Sequence, residues 1–305
     1  MSRFDISENA MKILEGATVV ASVSGGKDSA ALSLWLTEHG IEHRRVFSDT
    51  GWEHEDTLSY IAGPLQDAIG EIDTVKPAQQ MVERIRHKAM FPSRMRRWCT
   101  DDLKVRPLRD YMMQIEGPIV NAVGIRASES KARAKMPEID GWRPLVKVYI
   151  DVWRPLLEWT FDDVTDIHKR NGLSPNPLYL RGADRVGCWP CVFSRKREIR
   201  QLADMDPGRI DMLEALEAEI TEAADARAAS KGETNQNART FFQGVGPAAL
   251  GGGAGAMPIR KVVEWSRTSR GGKQIELFVP DEDIDFGCVR WGICEGPSDE
   301  GTGDE

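Results

Sequence analysis

A β-branched, apolar run at residues 17–23 passes directly into Ser24-Gly25-Gly26-Lys27-Asp28-Ser29 and then into an apolar stretch at 30–36. No other part of the chain restricts the fold so tightly. A run of that kind suits a strand buried on both faces, as in a parallel sheet. Parallel strands need crossover connections, so strand, loop and helix together predict an α/β fold. The helix is expected to end at Gly40, where a left-handed backbone favours glycine. Residues 43–47 read as a second strand that runs into Ser48-Asp49-Thr50-Gly51. The glycine loop suits an anion: its backbone can approach closely, and the helix N-terminus offers free N–H groups and a favourable dipole. Ser24 and Ser29 add hydroxyl donors and Lys27 a point charge. Asp28 adds a carboxylate suited to magnesium or to a phosphate-bound water. The loop is not the longer Walker type, whose glycines lie five apart before Lys-Ser/Thr.

The alternation continues downstream. Helices are expected at 56–68, 78–88 and 105–115, and strands at 72–75, 118–123 and 146–152. Thr160-Phe161-Asp162-Asp163 resembles a capping box that opens a helix reaching about Arg170. The predicted fold is therefore a doubly wound, mostly parallel sheet with a small C-terminal helical and hairpin extension. Composition shifts after about Arg200. Residues 210–229, rich in Glu and Ala, read as one solvent-facing helix, and 244–255 as a Gly/Ala-rich linker. Residues 262–265 and 274–279 read as a hairpin around Arg270-Gly271-Gly272, and 297–305 as disordered. We expect a nucleotide domain with a cysteine site at 1–200, a helix and linker at 201–256, and a C-terminal unit at 257–305.

Net charge is −8, but residues 281–305 alone carry nine acids against Arg290. The remainder is close to neutral and holds two basic segments, 76–110 and 181–200, which suit a polyanionic ligand or a solvated surface equally well. No run of eighteen apolar residues occurs, and residues 1–15 lack the basic start and apolar stretch of a signal peptide. We therefore expect a cytoplasmic protein without a membrane span. In that compartment thiols stay reduced, so the clustered pair Cys188 and Cys191 points to metal binding or redox chemistry. Cys99, Cys288 and Cys294 are the remaining cysteines.

Ser24 to Ser29 resembles the PP-loop of the N-type ATP pyrophosphatases, which have an adenine nucleotide alpha-hydrolase-like fold. Arg96-Arg97-Trp98-Cys99-Thr100, Leu103-Lys104-Val105-Arg106-Pro107-Leu108, Asn176-Pro177-Leu178-Tyr179 and Arg185-Val186-Gly187-Cys188-Trp189-Pro190-Cys191 extend the likeness. Together they resemble the phosphoadenosine phosphosulfate reductase family over about residues 17–200. Its bacteriophage-type members and the sulfurtransferases of DNA phosphorothioation are the relatives in view. The resemblance implies ATP, or a phosphosulfate nucleotide (PAPS or APS), held by the loop with Asp49, Thr50, Gly51, Gly124 and Arg126. It also implies Lys27, Asp28 and Arg126 as catalytic groups, with magnesium.

Reductases of that family bind a [4Fe–4S] cluster through a Cys-Cys pair and a C-x-x-C. Here Trp98 occupies the first position of the pair, which leaves Cys99, Cys188 and Cys191. Cys288 or Cys294 would supply a fourth ligand, or one iron would stay open; zinc is the other metal that suits thiolates. Arg94, Arg96, Arg97, Arg185, Arg195 and Arg197 flank these cysteines and suit either a cluster's charge or a phosphate-bearing substrate.

Three functions stay open. The first is cleavage of ATP to AMP and pyrophosphate, adenylating a substrate, with nucleic acid the expected class, for sulfur transfer from a donor protein. The second is a sulfonucleotide reductase, although the C-terminal Glu-Cys-Gly-Leu-His segment of such enzymes is missing and Cys294 is a poor substitute. The third is a non-catalytic nucleotide-binding subunit of a modification or defence complex; an oligomer is compatible with all three. The five histidines show no metal-like spacing.

Overall fold

The computed structural model describes residues 4–145, 148–234, 239–242, 256–268 and 291. Six strands form one sheet: β1 Thr18–Val23, β2 His43–Ser48, β3 Ile72–Val75, β4 Ile119–Ala122, β5 Ile139–Leu145 and β6 Val148–Trp153. Their order is β3-β2-β1-β4-β6-β5, parallel throughout except for the antiparallel edge strand β5. The expected doubly wound α/β fold is present.

Alternation along the strands divides the core between two faces. Val19, Ala21 and Val23 of β1 pack with Phe47, Val120 and Trp153 beneath the helices Lys27–Glu38 and Phe161–Arg170. Val20 points the other way, with Val46, Ile119 and Ile150, toward Met112 of the helix Arg106–Met112. The chain leaves β1 toward β2 on one side and returns as β4 on the other. The end of β1 is thus a topological switch point, where such sheets hold ligands.

A third cluster lies beyond the carboxyl ends of the strands. Trp52, Met81 and Leu178 join Trp189 and the helices Lys196–Met205, Pro207–Ala229 and Ile259–Ser266 there. Two expectations are corrected here. The helix Pro207–Ala229 is not merely solvent-facing, because it buries Ile210, Leu213, Leu216 and Ile220 as one stripe. Residues 262–265 belong to the helix Ile259–Ser266, which buries Ile259, Val262 and Ser266 at helical spacing, and not to a hairpin. The expected strand at 274–279, the linker at 244–255 and the tail at 297–305 lie outside the described residues.

Candidate active site

The phosphate loop is shaped by two contacts that exclude side chains. Gly25 has φ +69°, and a Cβ there would meet the Thr57 methyl at 2.8 Å. Glycine is therefore required on both conformational and steric grounds. Gly124, just past β4, lies so close that a Cβ would fall 2.6 Å from the Asp28 carbonyl oxygen. The loop is internally tied, with the Ser24 N–H donating to Ser29 Oγ at 3.2 Å and that hydroxyl donating to the Gly26 carbonyl at 2.9 Å.

Residues from a distant segment brace the loop. Asn176, 1% exposed, donates to the Gly25 carbonyl at 3.2 Å, and Tyr179 Oη accepts the Lys27 N–H at 3.2 Å. Lys27 Nζ lies 4.9 Å from the Tyr179 ring centroid, a cation–π contact that confines the ammonium. His168 Nε2 stands 2.9 Å from the Lys27 carbonyl, and burial lowers its pKa, so it donates there as a neutral ring. Burial also raises the Tyr179 pKa and keeps its hydroxyl protonated.

Asp28 is already engaged by two cations: Arg126 Nε donates to one oxygen, and Lys27 Nζ sits 3.6 Å from the other. Arg126 is buried in this pair rather than presented to solvent. Asp49 lies elsewhere. It faces Lys76 at 3.2 Å and accepts from the Gly51 N–H at 3.0 Å, while Thr50 donates to Glu53 at 2.7 Å. A Cβ on Gly51, at φ +66°, would strike Gln80. Asp49, Thr50 and Gly51 thus form the turn after β2 and do not line the cavity described next.

That cavity, about 340 Å³, is lined both by Ser24, Gly26, Lys27, Asp28 and Ser29 and by Cys188 and Cys191. The turn after β2 carries the cysteine turn beside it. Glu53 bridges Cys188 across an isolated antiparallel pair, the Trp189 N–H donates to the Trp52 carbonyl, and Trp52 Nε1 donates to the Pro190 carbonyl at 2.9 Å. The peptide bond before Pro190 is cis.

Cys99 approaches from the short helix Trp98–Thr100, which continues into a π-helical turn, Asp101–Val105, bearing Lys104. Burial raises the Cys99 pKa, and the neighbouring Cys188 and Cys191 push it further. Burial likewise raises that of Cys188, against the opposing pull of Lys104. Cys188, followed by Glu53, raises the Lys104 pKa against the lowering effect of burial. All three thiols therefore share one electrostatic neighbourhood. Among the described residues, however, no group of three or more His, Cys, Asp and Glu side chains forms a ready metal site. Cys288 and Cys294 lie outside the described residues.

Glu53, Lys104, Tyr179, Asn176 and His168 are the participants that reasoning from the sequence left without roles. Asn176, Tyr179 and Lys104 sat in quoted motifs, so their positions were visible. Glu53 and His168 carried no local signal.

With this geometry in view, residues 18–193 match the phosphoadenosine phosphosulfate reductase domain. The chain belongs to that family. It is similar to an uncharacterized 37.8 kDa protein from the gpa 5′ region of Escherichia phage 186, 29% identical over 338 residues and spanning 92% of this chain and 98% of that one. It is also similar to an adenosine 5′-phosphosulfate reductase of Mesorhizobium japonicum, 27% identical over 189 residues, 62% of this chain and 71% of that one. Among solved structures, the phosphate complex of phosphoadenylyl-sulfate reductase from Candida auris aligns with 59% of this chain and 88% of its own, at 17% identity and a TM-score of 0.45. No described helix of this family member is long and apolar enough to cross a membrane.

Proposed function

We propose that this chain cleaves MgATP to AMP and pyrophosphate, adenylating a nucleic-acid substrate for sulfur transfer. The carrying observation is that one cavity is lined both by the Ser24–Ser29 loop and by Cys188 and Cys191. A nucleotide held by the loop amides would share its recess with Cys188 and Cys191. A substrate oxygen or nitrogen attacks the α-phosphorus, the bond from α-phosphorus to the bridging oxygen breaks, and pyrophosphate leaves with the electron pair. Lys27 and the N-terminal amides of the helix Lys27–Glu38 stabilise the charge that builds on it. Gly124 and Arg126 keep Asp28 and the loop in register. Asp49, Thr50 and Gly51 act more remotely, by holding the turn that seats the cysteine loop.

The donor chemistry supports an iron–sulfur cluster in part: Cys188 and Cys191 line the cavity, Cys99 couples electrostatically to both, and the charge of Lys104 would offset that of deprotonated sulfur. Cys99, Cys188 and Cys191 would hold it, with Cys288 or Cys294 as further candidates. Such a cluster would supply a site at which sulfur is held next to the activated substrate. The chain's own contribution is to bury these thiols and position them across from the phosphate loop.

A sulfonucleotide reductase is the second reading, favoured by the likeness to an adenosine 5′-phosphosulfate reductase. Product analysis separates the two. AMP and pyrophosphate from ATP support the first, and sulfite from a phosphosulfate nucleotide with a thiol donor supports the second. Nucleotide binding with neither product would leave a non-catalytic subunit. Anaerobic purification is expected to give about four irons per chain; stoichiometric zinc without iron would remove the cluster.

A further inference from the structure

The turn Ser93 to Arg96 immediately precedes Arg97 and is closed by the Ser93 N–H to the Arg96 carbonyl at 3.1 Å and the Arg96 N–H to Ser93 Oγ at 3.1 Å. It presents Arg94, Met95, Arg96 and Arg97 to solvent, and Met95 is 92% exposed. None of these three arginines pairs with a carboxylate among the described residues. Arg97 lines the cavity of the phosphate loop. Its neighbour Arg96 lines a second cavity of about 240 Å³ on the other side of the turn. That second cavity is also lined by Arg227, Lys231 and Arg239, with Glu233 as the acid of its lining, and by Lys88, which pairs with Asp102 at 3.2 Å. Arg239 Nε is buried there without a hydrogen-bond partner among the described residues.

Two cationic cavities thus adjoin across one arginine turn. A mononucleotide fills only the first. The second shares no residue with the phosphate loop, and its positive charge suits a ligand whose phosphates repeat along a chain. Planar and apolar groups lie between the charges. Arg97 Cζ is 4.9 Å and Arg94 Cζ 5.9 Å from the Phe193 ring centroid, and Phe193 itself lines the first cavity. Guanidinium planes stacked on an aromatic ring, beside an exposed thioether, are a surface for unstacked bases. An acidic peptide would use the charges but not these faces. A duplex cannot carry one of its nucleotides into a recess without opening.

We propose that the Ser93–Arg97 turn and the adjoining basic cavity dock a single-stranded nucleic acid, feeding one nucleotide toward the phosphate loop. This rests on the reading of that site as one that adenylates nucleic acid.

The test uses the full chain and fluorescein-labelled single-stranded DNA and RNA 20-mers, read by anisotropy at several salt concentrations, with calorimetry of ATP binding alongside. Arg94→Gln/Arg96→Gln removes two exposed contacts outside the nucleotide cavity, and Lys231→Gln removes one in the second cavity. With each single-strand phosphate contact contributing about 0.7 to the salt slope, the double variant should bind about 25-fold more weakly at 0.1 M salt with a slope lower by about 1.4. Lys231→Gln should lose about 5-fold, and ATP affinity should not change in either. Wild-type protein that binds ATP but no 20-mer overturns the docking proposal alone. So do variants with unaltered affinity and slope, duplex bound as tightly as single strand, or displacement of the 20-mer by polyglutamate at equal charge. A 20-mer bound as expected without any ATP heat supports the docking surface and overturns the nucleotide chemistry instead.

Discussion

Replacing Gly124 with alanine would drive a methyl group into the phosphate loop. A Cβ at that position falls 2.6 Å from the Asp28 carbonyl oxygen, 3.0 Å from its carbon and 3.2 Å from Ser29 Cα. Ordinary contact begins at 3.4 Å, so the oxygen must retreat by 0.8 Å. All three atoms are backbone, and no flexible side chain can absorb the strain. One side of the contact is the first turn of the helix Lys27–Glu38, whose residues Ala30–Leu36 are almost entirely buried. The other follows β4, which is clamped between β1 and β6. Overpacking by one methyl costs about 1–3 kcal/mol. A displacement of this size also carries the loop amides out of a hydrogen-bond range only about 0.5 Å wide. ATP should bind about 10- to 100-fold more weakly, at about 1.4 kcal/mol per factor of ten. The Tm without nucleotide should fall by roughly 2–6 °C. Isothermal titration with a non-hydrolysable ATP analogue and scanning calorimetry read the two effects. Gly63→Ala is the control, since no atom lies within 4 Å of its Cβ. A Gly124→Ala protein with unaltered Kd and Tm would refute the close approach and the steric reasoning built on it.

Lys27→Gln removes the ammonium that faces the leaving group. Pyrophosphate release, followed by a coupled phosphate assay, should fall by about 10²- to 10³-fold, and an unchanged rate would exclude Lys27 from the chemistry. Asn176→Ala strips a buried donor from the Gly25 carbonyl and Thr57, and an acceptor from the Leu178 N–H. Urea unfolding should show a loss of about 1–3 kcal/mol, and a neutral result would mean the brace is dispensable. Burial pushes the Glu217 pKa from 4.5 up to about 7, against the lowering influence of the Phe241 and Ile259 N–H groups it accepts. Because the folded value lies above the unfolded one, the folded state holds the proton more tightly. Stability is favoured below about pH 4.5 and declines as pH rises to about 7, by on the order of 3 kcal/mol. Glu217→Gln should flatten that part of the profile in melts from pH 5 to 8, whereas parallel curves would exclude Glu217 as its source.

The elements that the sequence made legible were those whose signals are local. The β-branched run, the glycine loop and the Thr160 box each specify their conformation within a few residues, and the helix Phe161–Arg170 has the expected span. The edge strand β5 escaped notice because Ile139–Leu145 contains Gly141 and Pro144, residues that suit an unpaired edge but hide a strand pattern. The helix Pro207–Ala229 misled for a different reason: its Glu and Ala content outweighed a stripe at 210, 213, 216 and 220 that spacing alone reveals. Val262 to Trp265 looked alternating because the window was too short to separate periods of 2 and 3.6. In the site, the phosphate loop was readable, whereas Glu53 and His168 act only through partners far away in sequence: Glu53 through its pairing with Cys188, His168 through the Lys27 carbonyl.

The hydrogen bond from Trp52 to the Pro190 carbonyl joins residues 138 apart, so the cysteine turn can be seated only after the strands of the sheet have been made. All six strands have left the ribosome once Trp153 emerges, so a nascent chain can close its sheet with the anion loop already formed. Asn176 and Tyr179, which steady that loop, arrive in the same short segment as Cys188 and Cys191. A translation product that stops before residue 176 therefore keeps the loop but lacks both its braces and the cysteine pair.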